Sequence, residues 1–217
     1  MPRWRIPAFA TLAAALLLAA CGGERTYPDS FGDDDYDLAA MALRDADLPP
    51  GFEAQELDEP SFDNAIWAGF FETNDPEAKQ AQLEAQGRLT NHVAAFAPAG
   101  LGPVLALTNV STLYADSAAA QKSLEQFACG LPINDSIQLE PFLVPAIGDG
   151  STGFFVRQQN DGSNTFVDTT ICFRTGRILH AIQQTSIPGV EDIALSIRLA
   201  NRLLERVNAA FDRLEES

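Results

Sequence analysis

The strongest hydrophobic pattern in the chain lies near its C-terminal end. Between residues 191 and 214 the apolar positions recur at alternating spacings of four and three, the period of one helical face. Glu191 and Asp192 favour a helix N-terminus here through the helix dipole. The pattern predicts a long helix that lays its stripe along its own sheet, with a coiled-coil partner face as the alternative. The stripe consists of Ile193, Ile197, Ala200, Leu204, Val207, Phe211 and Leu214.

Two further helices are indicated by their caps. Asp75, with proline at the first helical position, starts a mostly polar surface helix that is expected to stop at Gly87. Asp116 caps a second helix, expected over residues 117–128 and ending at Gly130. Both predictions use the same chemistry, because a short acidic side chain satisfies backbone N–H groups that have no partner inside the helix.

Several segments have the composition of strands. Residues 104–114 are rich in Val, Leu, Thr and Tyr, and residues 88–96 and 153–158 are further strand candidates. The apolar run at residues 65–71 is also expected to be a strand. Residues 48–52, with two prolines and a glycine, predict a turn.

The clearest hairpin pattern covers residues 165–184. A two-residue loop at Thr175-Gly176 would pair Ile171 with His180. Both faces of the hairpin are partly apolar, so we expect it inside the sheet, covered on both sides. The order of strands and helices predicts an α+β domain over residues 38–217, with a mainly antiparallel sheet, helices packed on it and a long C-terminal helix.

The first residues have the pattern of an export signal. Arg3 and Arg5 precede an apolar run, and small residues stand before Cys21. The run is shorter than the roughly 20 apolar residues that span a bilayer. The sequence Leu18-Ala19-Ala20-Cys21 resembles the lipobox of bacterial lipoproteins. The resemblance implies a signal peptide over residues 1–20, an acylated (palmitate-bearing) Cys21 as the first mature residue, and anchoring to the lipid bilayer; an ordinary secretory signal is the alternative.

By the same resemblance, Gly22 after the lipid-bearing cysteine, where aspartate would retain the protein, favours the outer membrane in a cell with two membranes. In a cell with one membrane the domain would stand on the outer face of the plasma membrane. Residues 21–37 are poor in core formers and contain the acidic run Asp33-Asp34-Asp35, so we expect an acidic flexible tether. A calcium loop is not favoured there, because Leu38 and Arg44 stand where such a loop needs glycine and glutamate.

The charge of the chain restricts its partners. The formal net charge is −16, and loss of Arg3 and Arg5 with the signal takes it to −18. Such a body repels nucleic acid and anionic headgroups, so we expect no nucleic-acid partner. A solubilising surface explains the acidity, and a cationic partner is the alternative.

The lipobox resemblance also bears on how the cysteines are used. Acylation takes Cys21 and leaves Cys129 and Cys172 to form a disulfide in an oxidising compartment. Two buried thiols or a metal pair are the alternatives. A metal site is disfavoured because no CxxC motif and no nearby histidine accompany them, and no cofactor is expected.

Short turn motifs carry a second resemblance. They are residues 48–52, Ile147-Gly148-Asp149 and Phe173-Arg174-Thr175-Gly176-Arg177. With the order of elements, they resemble small sensor-like or PsbP-like domains on many bacterial lipoproteins. This resemblance implies a fold type without an activity.

The catalytic motifs are weak. Ser151 lies in Asp149-Gly150-Ser151-Thr152-Gly153, which departs from G-x-S-x-G at its first position. The two histidines are His92 and His180, and His180 is more readily explained as a core residue. No phosphate loop, dinucleotide turn or HExxH motif is present. We therefore assign no catalytic residue.

The sequence favours a lipid-anchored envelope domain that is not an enzyme and that binds an envelope protein or a small or lipidic ligand. An apolar pocket under the helices is one hypothesis, and packing of the same aromatic residues into the core is the alternative. An envelope hydrolase built on His180 or His92, and a scaffold that uses the acidic surface or the last helix, are the other classes. The candidate pocket residues are Trp67, Phe70, Tyr114, Phe154 and Phe155.

Overall fold

The computed structural model describes residues 25–71, 73–133, 137–160 and 164–216. The predicted signal peptide and Cys21 lie outside this part of the chain. Eight antiparallel strands form one sheet, in the order β1-β3-β4-β8-β7-β6-β5, with β2 paired to β3. The strands are β1 (Phe52–Gln55), β2 (Ser61–Phe62), β3 (Arg88–Pro98), β4 (Val104–Tyr114), β5 (Glu140–Phe142), β6 (Gly150–Asn160), β7 (Asn164–Thr175) and β8 (Ile178–Ser186).

Five α-helices are described, and they confirm the α+β class. They are α1 (Leu38–Met41), α2 (Asn64–Ala68), α3 (Pro76–Ala85), α4 (Ser117–Gln126) and α5 (Ile193–Glu215). Asp75, Asp116 and Asp192 each cap the helix that follows by accepting a backbone N–H bond. Within the described residues, no helix combines the length and apolar character needed to cross a bilayer.

The two faces of the sheet carry separate cores. The α5 face is closed by α5 and α1, and its core includes Leu107, Ile171 and Phe211. The α4 face is covered by α2, α3 and α4, and its core includes Trp67 and Leu179. Alternate residues of each strand feed the two faces, which is why the central strands are apolar on both sides.

The long helix packs on its own sheet, as predicted. Ala200, Val207 and Phe211 of the predicted stripe are fully or almost fully buried. Ile197 and Leu204 are half-buried at the edge of the contact. The centre of the buried face runs instead through Leu195, Leu199 and Leu203.

The hairpin forms with a register that differs from the prediction. Its loop is Gly176–Arg177, so Phe173 pairs with His180 and Ile171 with Ile182. Gly176 has a φ of 58°, and glycine at the first loop position is what a favoured hairpin turn requires. Because the shift is two residues, every side chain keeps its predicted face.

Residues 65–71 do not form the predicted strand. Asp63 accepts a hydrogen bond from the Ile66 backbone N–H at 2.9 Å and starts α2. Trp67 faces the core while Ile66 and Phe70 face outward. A short apolar run does not by itself distinguish a strand from a helical turn, and here the cap decides.

The segment expected to be a flexible tether is packed from Arg25 onward. Tyr27 and Tyr36 are buried in the core of the α5 face. We call residues 25–36 the N-terminal strap. The prediction failed because the acidic residues dominate its composition, whereas the two tyrosines determine where it lies.

Candidate functional site

A turn at the end of α4 borders a pocket on the α4 face. Ala128, Cys129 and Gly130 all have a positive φ, at 46°, 62° and 68°. Such backbone persists only where its surroundings hold it. A disulfide joins Cys129 to Cys172 of β7, with Cα atoms 6.3 Å apart, as predicted. The indole N–H of Trp67 donates to the Gly130 carbonyl at 3.1 Å.

The side chain of Tyr114 packs against the same turn. Its hydroxyl lies 2.6 Å from Ser123 Oγ, and a Cβ added to Gly130 would stand 2.7 Å from that hydroxyl. Burial raises the pKa of Tyr114. Glycine is therefore required at position 130, because its φ is positive and because a Cβ there would collide with the Tyr114 hydroxyl. These restraints hold the turn in one conformation.

A pocket of about 250 Å³ opens between this turn, α3 and the chain that leads to β5. We call it the α3–α4 pocket. Its described lining is apolar at the base and carries amides at the rim. The lining residues are Phe71, Lys79, Gln82, Leu83, Gln86, Gln126, Phe127, Ala128, Gly130, Leu131, Ile133, Ile137 and Leu139.

The polar groups of the pocket are mainly amides. Within the described residues, the side chains of Gln82, Gln86 and Gln126 make no hydrogen bond to the protein. The ammonium of Lys79 lies 3.8 Å from the centre of the Phe71 ring, a cation–π contact. The described lining therefore offers an apolar base with amide donors and acceptors at the rim.

The five aromatic residues predicted to line a pocket are not brought together. Trp67, Tyr114 and Phe154 are buried in the core of the α4 face. Phe70 is half exposed beside Trp67, with ring centres 5.3 Å apart. None of the five is among the described lining residues of the α3–α4 pocket, and three serve as core.

Phe155 lies on the other side of the sheet. Its ring centre is 4.7 Å from that of Phe142, which packs against the core of the α5 face. Phe154 and Phe155 are adjacent in β6, and adjacent strand residues point to opposite faces. A shared pocket for both was therefore wrong.

His180 is a core histidine. It is completely buried, its Nδ1 lies 2.9 Å from Ser111 Oγ, and its Nε2 lies 2.9 Å from Thr175 Oγ1. Its ring stacks on Phe173 with centres 4.9 Å apart. Burial lowers the pKa of His180 to about 3. Both ring nitrogens are occupied by buried hydroxyl groups, so this arrangement holds a neutral imidazole in place.

Ser151 and His92 lie away from His180. Ser151 Oγ donates to the Pro145 carbonyl at 2.9 Å, and Phe173 lies between Ser151 and His180 in the sheet. His92 is half-buried at the other side, where its Nδ1 lies 3.3 Å from Ser61 Oγ. Burial lowers the pKa of His92. The serine and histidines of the hydrolase hypothesis are not joined in one site.

Sequence reasoning missed the residues that line the α3–α4 pocket. The polar pattern of α3 was interpreted as a plain surface helix, and Gln82 and Gln86 carry no motif. The usable signal was Cys129 followed by glycine at a helix end, because a disulfide there fixes an irregular turn. Among the described residues, no group of histidine, cysteine and carboxylate side chains is placed to hold a metal ion.

Comparisons with known proteins give a fold relationship. No family model matches the chain, and no curated protein matches it. The solved extracellular domain of PknH from Mycobacterium tuberculosis is similar in structure, with a TM-score of 0.50 and 9% sequence identity. The match covers 79% of this chain and 95% of that domain. The two share an α+β fold.

Proposed function

We propose that the chain is an exported, lipid-anchored domain of the bacterial envelope that binds a small amphipathic ligand in the α3–α4 pocket and performs no chemistry on it. Two observations support export. The Cys129–Cys172 disulfide suits an oxidising compartment, and the fold is shared with a domain that is extracellular in another protein. Anchoring at Cys21 rests on the lipobox resemblance alone.

The observation that carries the binding proposal is the pocket itself. A site with an apolar base and a few convergent polar groups is the usual form of a small-ligand site. Here the disulfide and the Trp67 hydrogen bond hold one wall, so the site is formed before the ligand arrives. A preformed wall lowers the ordering cost of binding.

The chemistry of the lining defines the ligand class. Amide groups at the rim bond neutral donors and acceptors equally well. The ligand should therefore have an apolar part and a neutral polar part. The acidic surface of the protein disfavours a strongly anionic molecule.

Native mass spectrometry of the full chain, extracted from its membrane in mild detergent, tests the proposal. We expect a bound small molecule on the wild-type protein and its loss from the double variant Gln82→Ala/Gln126→Ala. The matched control is Gln80→Ala on the same helix, whose amide bonds Glu84 outside the pocket. Retention by all three proteins, or by none, would contradict binding in this pocket.

A further inference from the structure

The N-terminal strap is held tightly to the end of α5. Arg25 Nη1 lies 2.6 Å from Asp212 Oδ1 and 3.2 Å from the Asn208 carbonyl. The Tyr27 hydroxyl donates to Asn208 Oδ1 at 2.6 Å, and its ring lies 5.0 Å from that of Phe211. Burial raises the pKa of Tyr27 to about 12. The first described residues are thus fixed by ion pair, hydrogen bond and aromatic contact.

The strap is fixed again at its other end. Arg177, in the loop of the hairpin, forms an ion pair with Asp33 and lies 4.7 Å from the centre of the Tyr36 ring. Tyr36 packs in turn against Phe211, with ring centres 6.0 Å apart. These contacts at both ends of the strap fix the position of Arg25 relative to the domain.

Little chain separates this strap from the proposed anchor. Only Gly22, Gly23 and Glu24 stand between Cys21 and Arg25. A fully extended chain gains about 3.4 Å per residue, so the Cα of Cys21 lies within roughly 14 Å of the Cα of Arg25. That distance is a fraction of the size of the domain, whatever path the three residues follow.

Arg25 lies at one end of the sheet. A polar groove there is lined by residues of the strap, the start of α4, the hairpin loop and the residues before β6. They include Arg25, Ser117, Asp149 and Gly176. We call this the proximal end. The distal end carries Leu101, Ile187 and Val190 in the loops at the opposite ends of the strands. Eleven-residue strands separate the two ends by about 35 Å.

We infer that the domain sits directly on the bilayer with the proximal end against the lipid headgroups. This inference rests on the proposed acylation of Cys21 and goes beyond it, because it fixes an orientation and a contact surface. The two arginines of the proximal groove are paired within the protein, Arg25 with Asp212 and Arg174 with Asp149, so this end is charged and hydrated and suits headgroups rather than acyl chains. The partner is the surface of a zwitterionic membrane.

The orientation has a consequence for the ligand site. The strap and the end of α5 lie on one face of the sheet, whereas the α3–α4 pocket lies on the other. Because Gln86 of the pocket comes just before the first residue of β3, at the proximal end, a bilayer there places the pocket at the side of the domain, near the membrane surface. The distal loops with Leu101 and Val190 point away from the membrane.

Energy transfer from single labelled thiols to a headgroup-attached acceptor tests the orientation. The acylated full chain is placed in phosphatidylcholine vesicles, with a dye on Ala118→Cys at the proximal end or on Leu101→Cys at the distal end. Both positions are exposed. We expect strong transfer from position 118 and weak transfer from position 101, because transfer falls steeply over the length of the sheet. Equal transfer from both positions would overturn the orientation.

Two controls distinguish the proposed orientation from the proposed anchoring at Cys21. A long Gly/Ser insertion after Gly23 should make the two positions equivalent, because the domain then tumbles freely. Vesicle flotation tests the anchor, with Cys21→Ser expected to stay in solution. Wild-type protein that fails to float would overturn the anchor and the orientation with it. Wild-type protein that floats with equal transfer overturns the orientation alone.

Discussion

The two faces of the sheet are built in different ways. On the α5 face a single helix of 23 residues lies along the strands and, with the strap, closes the core. On the α4 face the short helices α2, α3 and α4 and an irregular turn provide the cover. The short pieces leave the α3–α4 pocket between them, whereas the hollows of the α5 face lie beside the long helix, one of them with a volume of about 470 Å³ next to residues 47–49. What distinguishes the α4 face is that one wall of its pocket is held by a disulfide.

Both cores contain buried polar groups, and each holds one threonine hydroxyl without a partner in the described part of the chain, Thr169 on the α5 face and Thr170 on the α4 face. The α5 face bonds His180 to two hydroxyls, and Asn109 accepts from the Leu43 backbone N–H at 3.1 Å. On the α4 face Asn91 is fully buried, and neither of its amide atoms has a partner in the described part of the chain. An unsatisfied buried amide is costly. The Cys129–Cys172 disulfide is the covalent link of that face.

Removing the disulfide should have the largest effect. For Cys129→Ala/Cys172→Ala the bridge over a sequence separation of 43 residues is lost, and we expect the free energy of unfolding to fall by about 4 kcal/mol. Denaturant unfolding of the full chain measures the change. Reduction of the wild-type protein should give the same result.

The disulfide variant also tests whether the two faces of the sheet open independently of each other. Amide hydrogen exchange should rise in α4 and in the turn at 128–130, while the buried side of α5 stays protected. A uniform rise over both faces would show that the bridge holds the whole domain, and would contradict the division into two independently covered cores.

The buried histidine of the α5 face should give a pH-dependent effect, smaller than that of the disulfide at pH values above about 4. The pKa of His180 falls from 6.5 to about 3 on folding because the imidazole is desolvated. Between these values the unfolded chain binds a proton that the native state does not. The free energy of unfolding therefore decreases as the pH falls through this window, by at most about 1.4 kcal/mol per pH unit.

Unfolding curves at several pH values test this, with His180→Gln as the variant. Glutamine retains hydrogen-bonding groups for Ser111 and Thr175 but does not titrate. We expect a shallower pH dependence in the variant than in the wild type, while the matched control His92→Gln changes it less because His92 is only half-buried. Equal slopes for wild type and His180→Gln would contradict the neutral, buried state of the imidazole.

The parts of the fold that sequence predicted are those with local signals. The stripe of α5, the caps at Asp75 and Asp116 and the composition of β4 each depend on near neighbours. The hairpin register depended on which two residues form the loop, and α2 depended on one capping carboxylate. Such choices are settled by a few atoms and are ambiguous in the sequence.

Of the candidate site, only the disulfide could be predicted from the sequence. Cys129 and Cys172 were identified as a pair, but the glutamines of α3 and α4 have no sequence signature. Phe154 and Phe155 show the opposite error, because aromatic composition attracted attention while the two-residue period of β6 sends them to different cores. Pockets form where separate elements fail to meet, and that is a property of the assembled fold.

The strap gives the smallest and most specific prediction. Tyr27→Phe removes one hydroxyl that donates to Asn208 in a half-buried contact, and we expect a loss of about 1 kcal/mol in the free energy of unfolding. The control is Leu101→Ala in the loop between β3 and β4, where a fully exposed side chain should change stability by less than about 0.5 kcal/mol. A flexible tether at residues 25–37 would make Tyr27→Phe silent. A measurable loss for Tyr27→Phe beside little change for Leu101→Ala places the strap within the α5 face, and so limits how far the domain can stand from an anchor at Cys21.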